Sequence, residues 1–302
     1  MRPANLRTKI FLDSGDPDET KQTINLLGFL DGQTTNPTLI SKNPKAKGRL
    51  DRGDKFTKEE IFGFYKEVVK EISGLIPNGS ISIEVYADRN TTTEQMLERG
   101  REMFSWIPSA HIKFPTTSEG LKAAQKAINE RMRVNMTLCF SQEQAAAVYA
   151  ATKESKKETL TGFKNVFVSP FIGRLDDRGE NGMDLIKNII RMYNSAMQNQ
   201  KGDHHVEVLT ASVRSLNHFL YAIKLESDII TAPFKTLKEW AEKGMPMPDE
   251  SFKYNASNLK SIPYQQIALN KPWQNYNISH DLTDVGIEKF STDWNELLKP
   301  AL

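Results

Sequence analysis

Lys113 stands in the run Ala110-His111-Ile112-Lys113-Phe114-Pro115, which otherwise reads as a short buried strand. Ile112 and Phe114 share one face of that strand and Lys113 takes the other. Pro115 cannot donate to a sheet ladder, so the strand is expected to stop there, with Lys113 near its C-terminal end. An amine enclosed by apolar walls loses hydration of its charged form; its pKa falls and the neutral amine becomes a nucleophile for carbonyl carbon. The plain alternative is a lysine on the wet side of an edge strand.

Polar residues recur in equivalent places. Asp13 ends the run Lys9-Ile10-Phe11-Leu12, and Asn36 follows Gly32-Gln33-Thr34-Thr35, held extended by Pro37. Ser80-Ile81-Ser82-Ile83-Glu84-Val85 alternates strictly, and Val134-Asn135-Met136-Thr137-Leu138 repeats the pattern, so that Glu84, Asn135 and Thr137 face away from the apolar side. Ser169 and Ser212 close two further runs. Carboxylates such as Asp13 and Glu84 beside an amine move protons, and amides such as Asn36 and Asn135 hold hydroxyls. Arg174 and Arg214, each just beyond a strand end, suit an anion clamp with Ser212, of the kind a phosphorylated sugar needs. Singly, each has a bland reading: Asp13-Ser14-Gly15-Asp16 is good turn and helix-cap chemistry, and loop arginines are commonly solvated. Together they point to a Schiff base with a carbonyl substrate. The pair His204-His205 does not converge as spaced zinc ligands do, and Cys139, with no local base, reads as a small buried hydrophobe.

The elements that must position these residues alternate along the chain. Helices are expected at Thr20–Leu27, Glu59–Leu75, Thr93–Phe104, Leu121–Arg131, Gln142–Ser155, Met183–Asn199 and Leu216–Leu225, between eight short strands that end with Ile229-Ile230-Thr231-Ala232. Residues 43–58 read as a charged, solvated loop and residues 173–179 as a second loop. Alternation of this kind implies parallel strands joined by right-handed crossovers. Eight units suggest a closed (β/α)8 TIM barrel, an α/β fold of about 250 residues with room here for insertions. An open doubly wound sheet is the alternative, although neither a glycine-rich dinucleotide fingerprint nor a P-loop is present to support it. In the barrel, strand C-termini gather at one end, where active sites of this architecture lie.

The 302 residues, 38% hydrophobic and 26% charged, suffice for one large α/β domain or two smaller ones, and the eight alternating units favour a single domain over residues 1–302. Lys plus Arg number 40 against 38 for Asp plus Glu, a net charge of +2 without a basic block, so neither nucleic acid nor a membrane surface is expected as partner. One cysteine excludes an intrachain disulfide. The first residues lack the apolar core of a signal peptide and a cytoplasmic location is expected.

The motifs Phe11-Leu12-Asp13-Ser14, Thr34-Thr35-Asn36-Pro37, Glu84-Val85, Ile112-Lys113-Phe114-Pro115-Thr116-Thr117-Ser118-Glu119-Gly120, Asn135-Met136-Thr137-Leu138-Cys139-Phe140-Ser141 and Ser169-Pro170-Phe171-Ile172-Gly173-Arg174 occur in this order and resemble those of the transaldolase family, over roughly Lys9 to Pro233. The resemblance implies a (β/α)8 barrel that moves a dihydroxyacetone unit from a ketose phosphate, sedoheptulose 7-phosphate or fructose 6-phosphate, to an aldose phosphate, glyceraldehyde 3-phosphate or erythrose 4-phosphate. It assigns the Schiff base to Lys113, the C4-hydroxyl proton to Asp13, and a proton-shuttling water to Glu84 and Thr137. Asn36, Asn135 and Ser169 would grip the three-carbon unit, Phe171 would line the pocket, and Arg174, Ser212 and Arg214 would bind phosphate. It implies no cofactor, and the residues themselves suggest no metal site. Relatives that cleave fructose 6-phosphate without an acceptor carry glutamine at the Glu84 position and tyrosine at the Phe171 position, so these two residues favour transfer. Val213, where an aromatic residue usually sits, and the segment after Pro233 depart from the pattern. That segment is expected as an irregular aromatic and proline-rich insertion at about 244–281, packed on the barrel or a neighbouring subunit, then a helix at about 285–298 crossing the barrel top. A homo-oligomer, and a barrel that binds sugar phosphates without turning them over, stay open.

Overall fold

The computed structural model describes residues 1–155, 162–198, 203–256 and 258–300. Strands β1 (Lys9–Asp13), β2 (Gly32–Thr34), β3 (Ser80–Glu84), β4 (Ala110–Pro115), β5 (Val134–Cys139), β6 (Val166–Pro170), β7 (Val206–Thr210) and β8 (Ile229–Ala232) are parallel and close into a barrel in sequence order. The helices are α1 (Pro17–Leu27), α2 (Pro37–Ser41), α3 (Pro44–Asp51), α4 (Lys58–Leu75), α5 (Thr93–Phe104), α6 (Ser118–Asn129), α7 (Gln142–Ala151), α8 (Ile172–Asp176), α9 (Gly182–Gln198), α10 (Leu216–Lys224), α11 (Phe234–Glu242) and α12 (Asp281–Glu296). The protein is a (β/α)8 TIM barrel.

Local chemistry explains where the helices start. Pro17, Pro37 and Pro44 open α1, α2 and α3, each preceded by an Asp or Asn whose side-chain oxygen takes an orphan amide. Thr57 with Glu60 and Thr92 with Gln95 form capping boxes on α4 and α5. Burial is complete along β2 to β8, as expected for parallel strands covered on both sides, whereas Lys9 and Asp13 at the two ends of β1 stay partly open.

Four stretches differ from the sequence reading, the first being Pro37–Ser41, where the second strand stops at Thr34 and Pro37 opens helix α2. Residues 43–58 hold α3 instead of a loop; only Ala46 of this helix is buried, so it leaves no apolar period to detect. Arg174 sits in the short helix α8, within the region expected as a loop. Helix α11 occupies a stretch to which no element had been assigned. The expected helix end at Asn199 lies outside the described residues.

Between α11 and α12 the chain wraps the outside of the barrel. Tyr254 stacks on Tyr221 of α10 at 4.6 Å, Asn188 of α9 donates to the Ile262 carbonyl at 2.9 Å, and Gln142 of α7 exchanges hydrogen bonds with the Gln265 backbone. Trp273 reaches Gln125 of α6, and Gln144 donates to the Ile278 carbonyl at 3.1 Å. This route delivers α12 to the C-terminal end of the barrel, where it packs on α2 and β5. No helix among the described residues is long and apolar enough to cross a membrane.

Candidate active site

Lateral pairing aligns Glu84 with Lys113 and Lys113 with Asn135, so the three side chains project in one direction, into the barrel. Lys113 Nζ lies 2.7 Å from Glu84 Oε2 and donates to the Thr35 carbonyl at 3.0 Å. Both members of the pair are buried. The approach to Glu84 is an ion pair off the direction of a hydrogen bond, and that oxygen has no aligned donor. The walls around Lys113 are thus polar, contrary to the apolar enclosure expected from the strand pattern. Burial pushes the Glu84 carboxyl above its ordinary range, against the pull of Lys113 and Arg174. A carboxyl so poised can take a proton and return it.

Asp13 shares the floor of the same cavity. Its Oδ1 accepts from Thr34 Oγ1 at 2.7 Å, and burial raises its pKa against the opposing charge of Lys113, the Thr34 hydroxyl and Lys42. The cap of α1 is Asp16, not Asp13, which removes the turn-residue reading of Asp13. Asn36 has both roles: its side-chain oxygen caps α2 at Leu39 N, 2.9 Å away, and the residue also lines the cavity. Ser169 Oγ donates to Asn135 Oδ1 at 2.7 Å, and Asn135 Nδ2 to Ser82 Oγ at 3.0 Å. Thr137 Oγ1 is buried with no hydrogen-bond partner among the described residues.

Arg174 and Arg214 are brought together by α8 and the turn after β7. Gly173 allows their approach: a Cβ there would lie 2.3 Å from Arg214 Nε and 2.4 Å from the Ser212 carbonyl. Arg214 Nη2 pairs with Asp177 at 2.8 Å, at the surface. Ser212 has φ 60° and Leu138, next to Thr137, has φ 58°. Side-chain-bearing residues in the left-handed region carry strain, and here both lie where strands end at the barrel top.

The cavity has a volume of about 460 Å³. Asp13, Asn36, Lys113, Ser169, Phe171, Arg174, Ser212 and Arg214 line it, whereas Glu84, Asn135 and Thr137 do not. Sequence reasoning missed Lys42 and Lys289, which also face it, because a lysine in a charged run carries no distinguishing signal. It also missed Tyr65, read as one apolar position of α4. The Tyr65 hydroxyl bonds Thr35 Oγ1 at 2.6 Å and accepts from Glu84 N at 3.1 Å, bracing the residues on either side of the lysine. His204 and His205 lie away from this cavity; buried His205 contacts Asp203 and Tyr149. Cys139 is a buried free thiol whose pKa burial raises to about 12. Among the described residues no group of His, Cys, Asp and Glu side chains is arranged to hold a metal.

The sequence matches the family model described as transaldolase/fructose-6-phosphate aldolase over residues 10–301. The chain is 32% identical to a probable transaldolase of Dehalococcoides mccartyi over 291 residues, covering 96% of this chain and 100% of the relative. A probable transaldolase of Brucella ovis is 36% identical over 288 residues, 95% of this chain and 96% of the relative. One from Anaeromyxobacter dehalogenans is 32% identical over 295 residues, 97% and 99% of the two chains.

Proposed function

The chain belongs to the transaldolase/fructose-6-phosphate aldolase family, and we propose that within it this protein is a transaldolase acting through a Schiff base on Lys113. It takes dihydroxyacetone from sedoheptulose 7-phosphate or fructose 6-phosphate and gives it to glyceraldehyde 3-phosphate or erythrose 4-phosphate. The observation that carries this reading is the in-register row Glu84, Lys113, Asn135, from which Lys113 reaches the cavity that Asp13 also lines.

Lys113 Nζ passes a proton to Glu84 and attacks the C2 carbonyl of the ketose. The carbinolamine loses water, with protons relayed through a water held between Glu84 and Thr137, and leaves an iminium. Asp13 removes the C4-hydroxyl proton; the C3–C4 bond breaks and its electron pair moves toward the iminium nitrogen, giving an enamine as the aldose phosphate departs. The enamine attacks the acceptor aldehyde, Asp13 returns its proton to the new hydroxyl, and hydrolysis frees Lys113. Asn36, Asn135 and Ser169 hold the three-carbon unit, and Arg174, Ser212 and Arg214 hold phosphate. No cofactor takes part. Phe171 has no hydroxyl to help a water protonate the enamine carbon, which supports transfer over simple cleavage. The reaction suits a cytoplasmic setting.

Fructose 6-phosphate with erythrose 4-phosphate tests the assignment. Sedoheptulose 7-phosphate formed without free dihydroxyacetone is expected. Free dihydroxyacetone released at the same rate without acceptor would make the protein an aldolase, and binding without turnover would make it a binding barrel.

A further inference from the structure

We propose that α12 sets the preference for phosphorylated substrates by fixing the Arg174 guanidinium, with Gly286 and Phe290 as positioning residues; the inference rests on the reading that Arg174 binds phosphate. Arg174 is partly buried, and no carboxylate pair or hydrogen bond of its guanidinium is found among the described residues. It lies between two rings, with Cζ 5.4 Å from the Phe171 centroid and 5.2 Å from that of Phe290. Cation–π contact with the two rings holds the guanidinium without using its N–H groups, which stay free for bidentate contact with a phosphate. One ring comes from the barrel, directly after β6; the other comes from α12.

Gly286, one turn before Phe290, sets how far the guanidinium can enter. A Cβ at this position would lie 2.6 Å from Arg174 Nη1 and 2.6 Å from Leu138 Cδ2. Glycine inside a helix is unfavourable relative to alanine, so α12 gives up helix stability where Arg174 needs space. The helix is held in place from several sides. Thr283 Oγ1 donates to the carbonyl of Leu138 at 3.0 Å, Thr38 of α2 donates to buried Asp293, and Lys289 pairs with Asp293 at 2.5 Å. Thus α12 grips both the strained turn beyond Thr137 and the helix that carries Asn36, and presents Phe290 to Arg174 from that fixed position.

Gly286→Ala separates positioning from stability. The three atoms that the new methyl meets are ends of two side chains, Arg174 and Leu138, and the helix itself favours alanine, so the fold is expected to keep its melting temperature while Arg174 is displaced. The KM for fructose 6-phosphate and the inhibition constant of inorganic phosphate should each rise about tenfold, the loss of one charge-assisted contact, with kcat within threefold as a rough bound. Schiff-base trapping by dihydroxyacetone, which carries no phosphate, should be unchanged. Phe290→Leu keeps an apolar group without the ring face and should move the same two constants in the same direction, and Phe290→Tyr should restore them. Equal losses with phosphorylated and unphosphorylated ligands, or no change in either variant, would overturn the inference. If instead the unmodified protein neither prefers fructose 6-phosphate over fructose nor is inhibited by phosphate, the reading of Arg174 fails first.

Discussion

Among the described residues the barrel holds a lysine–glutamate pair at each end, both carboxylates buried and Lys9 partly open. Lys113 and Glu84 stand 2.7 Å apart toward the top, Lys9 and Glu207 2.6 Å apart at the bottom. Along β1 the inward positions run Lys9, Phe11, Asp13, and a layer in which Phe11 packs against Phe167 and Phe167 stacks on His111 separates the two ends. Burial raises both carboxyls, and each end has a cavity, of about 460 and 370 Å³. Neither distance, pKa direction nor cavity therefore distinguishes them. What differs is how far the hydrogen-bonding capacity is used. Glu207 takes the Lys9 ammonium on one oxygen and the Lys164 amide on the other at 2.9 Å, and Lys9 lies over the Phe163 ring. Glu84 Oε2 has no aligned donor, and Lys113 opens on the end where strands finish and loops can carry chemistry. A saturated pair stabilises the fold; an unsaturated one retains capacity for substrate and water.

Paired substitutions test this contrast. Lys113→Met should lower transfer by at least about 10⁴-fold. Lys9→Met should leave the rate alone but cost about 3 kcal/mol in urea denaturation, since Glu207 is left buried without its partner. Asp13→Asn should lower kcat by about 10³-fold, with an opposite effect on stability. A carboxyl whose folded pKa is raised favours the folded state in its protonated form, and that contribution is lost as pH rises through the folded pKa. The Asn variant should melt higher than the parent at neutral pH, the gap closing as pH falls toward the ordinary carboxylate range near about 4. Glu84→Gln should slow adduct formation about 10²-fold, whereas Glu207→Gln should not change it. The smallest effect is expected at Thr137. Thr137→Val removes a buried hydroxyl with no hydrogen-bond partner among the described residues, so it should slow turnover about tenfold yet keep or raise stability by about 1 kcal/mol.

The sequence was most readable where periodicity and side-chain type agree. Helix α5 appears with the expected bounds, Thr93–Phe104, because Met96, Leu97, Gly100 and Met103 make one buried face. Strand ends such as Asp13 and Glu84 stood out because a charged group interrupts an apolar run. Short or shallowly packed helices escaped: five-residue α8 covers little more than a turn, and α3 buries one alanine. Helix α11 could have been found, since Leu237 and Trp240 sit three apart and are buried. Lys42, Lys289 and Tyr65 were not legible, because facing a cavity or bracing a neighbour depends on elements distant in the chain.

The most direct test of the account is borohydride trapping with fructose 6-phosphate, followed by peptide mass spectrometry, with erythrose 4-phosphate added before the reductant in a parallel sample. The account predicts a three-carbon adduct on Lys113, absent from Lys9, that the aldose clears. An adduct on another lysine, or none at Lys113, would contradict it.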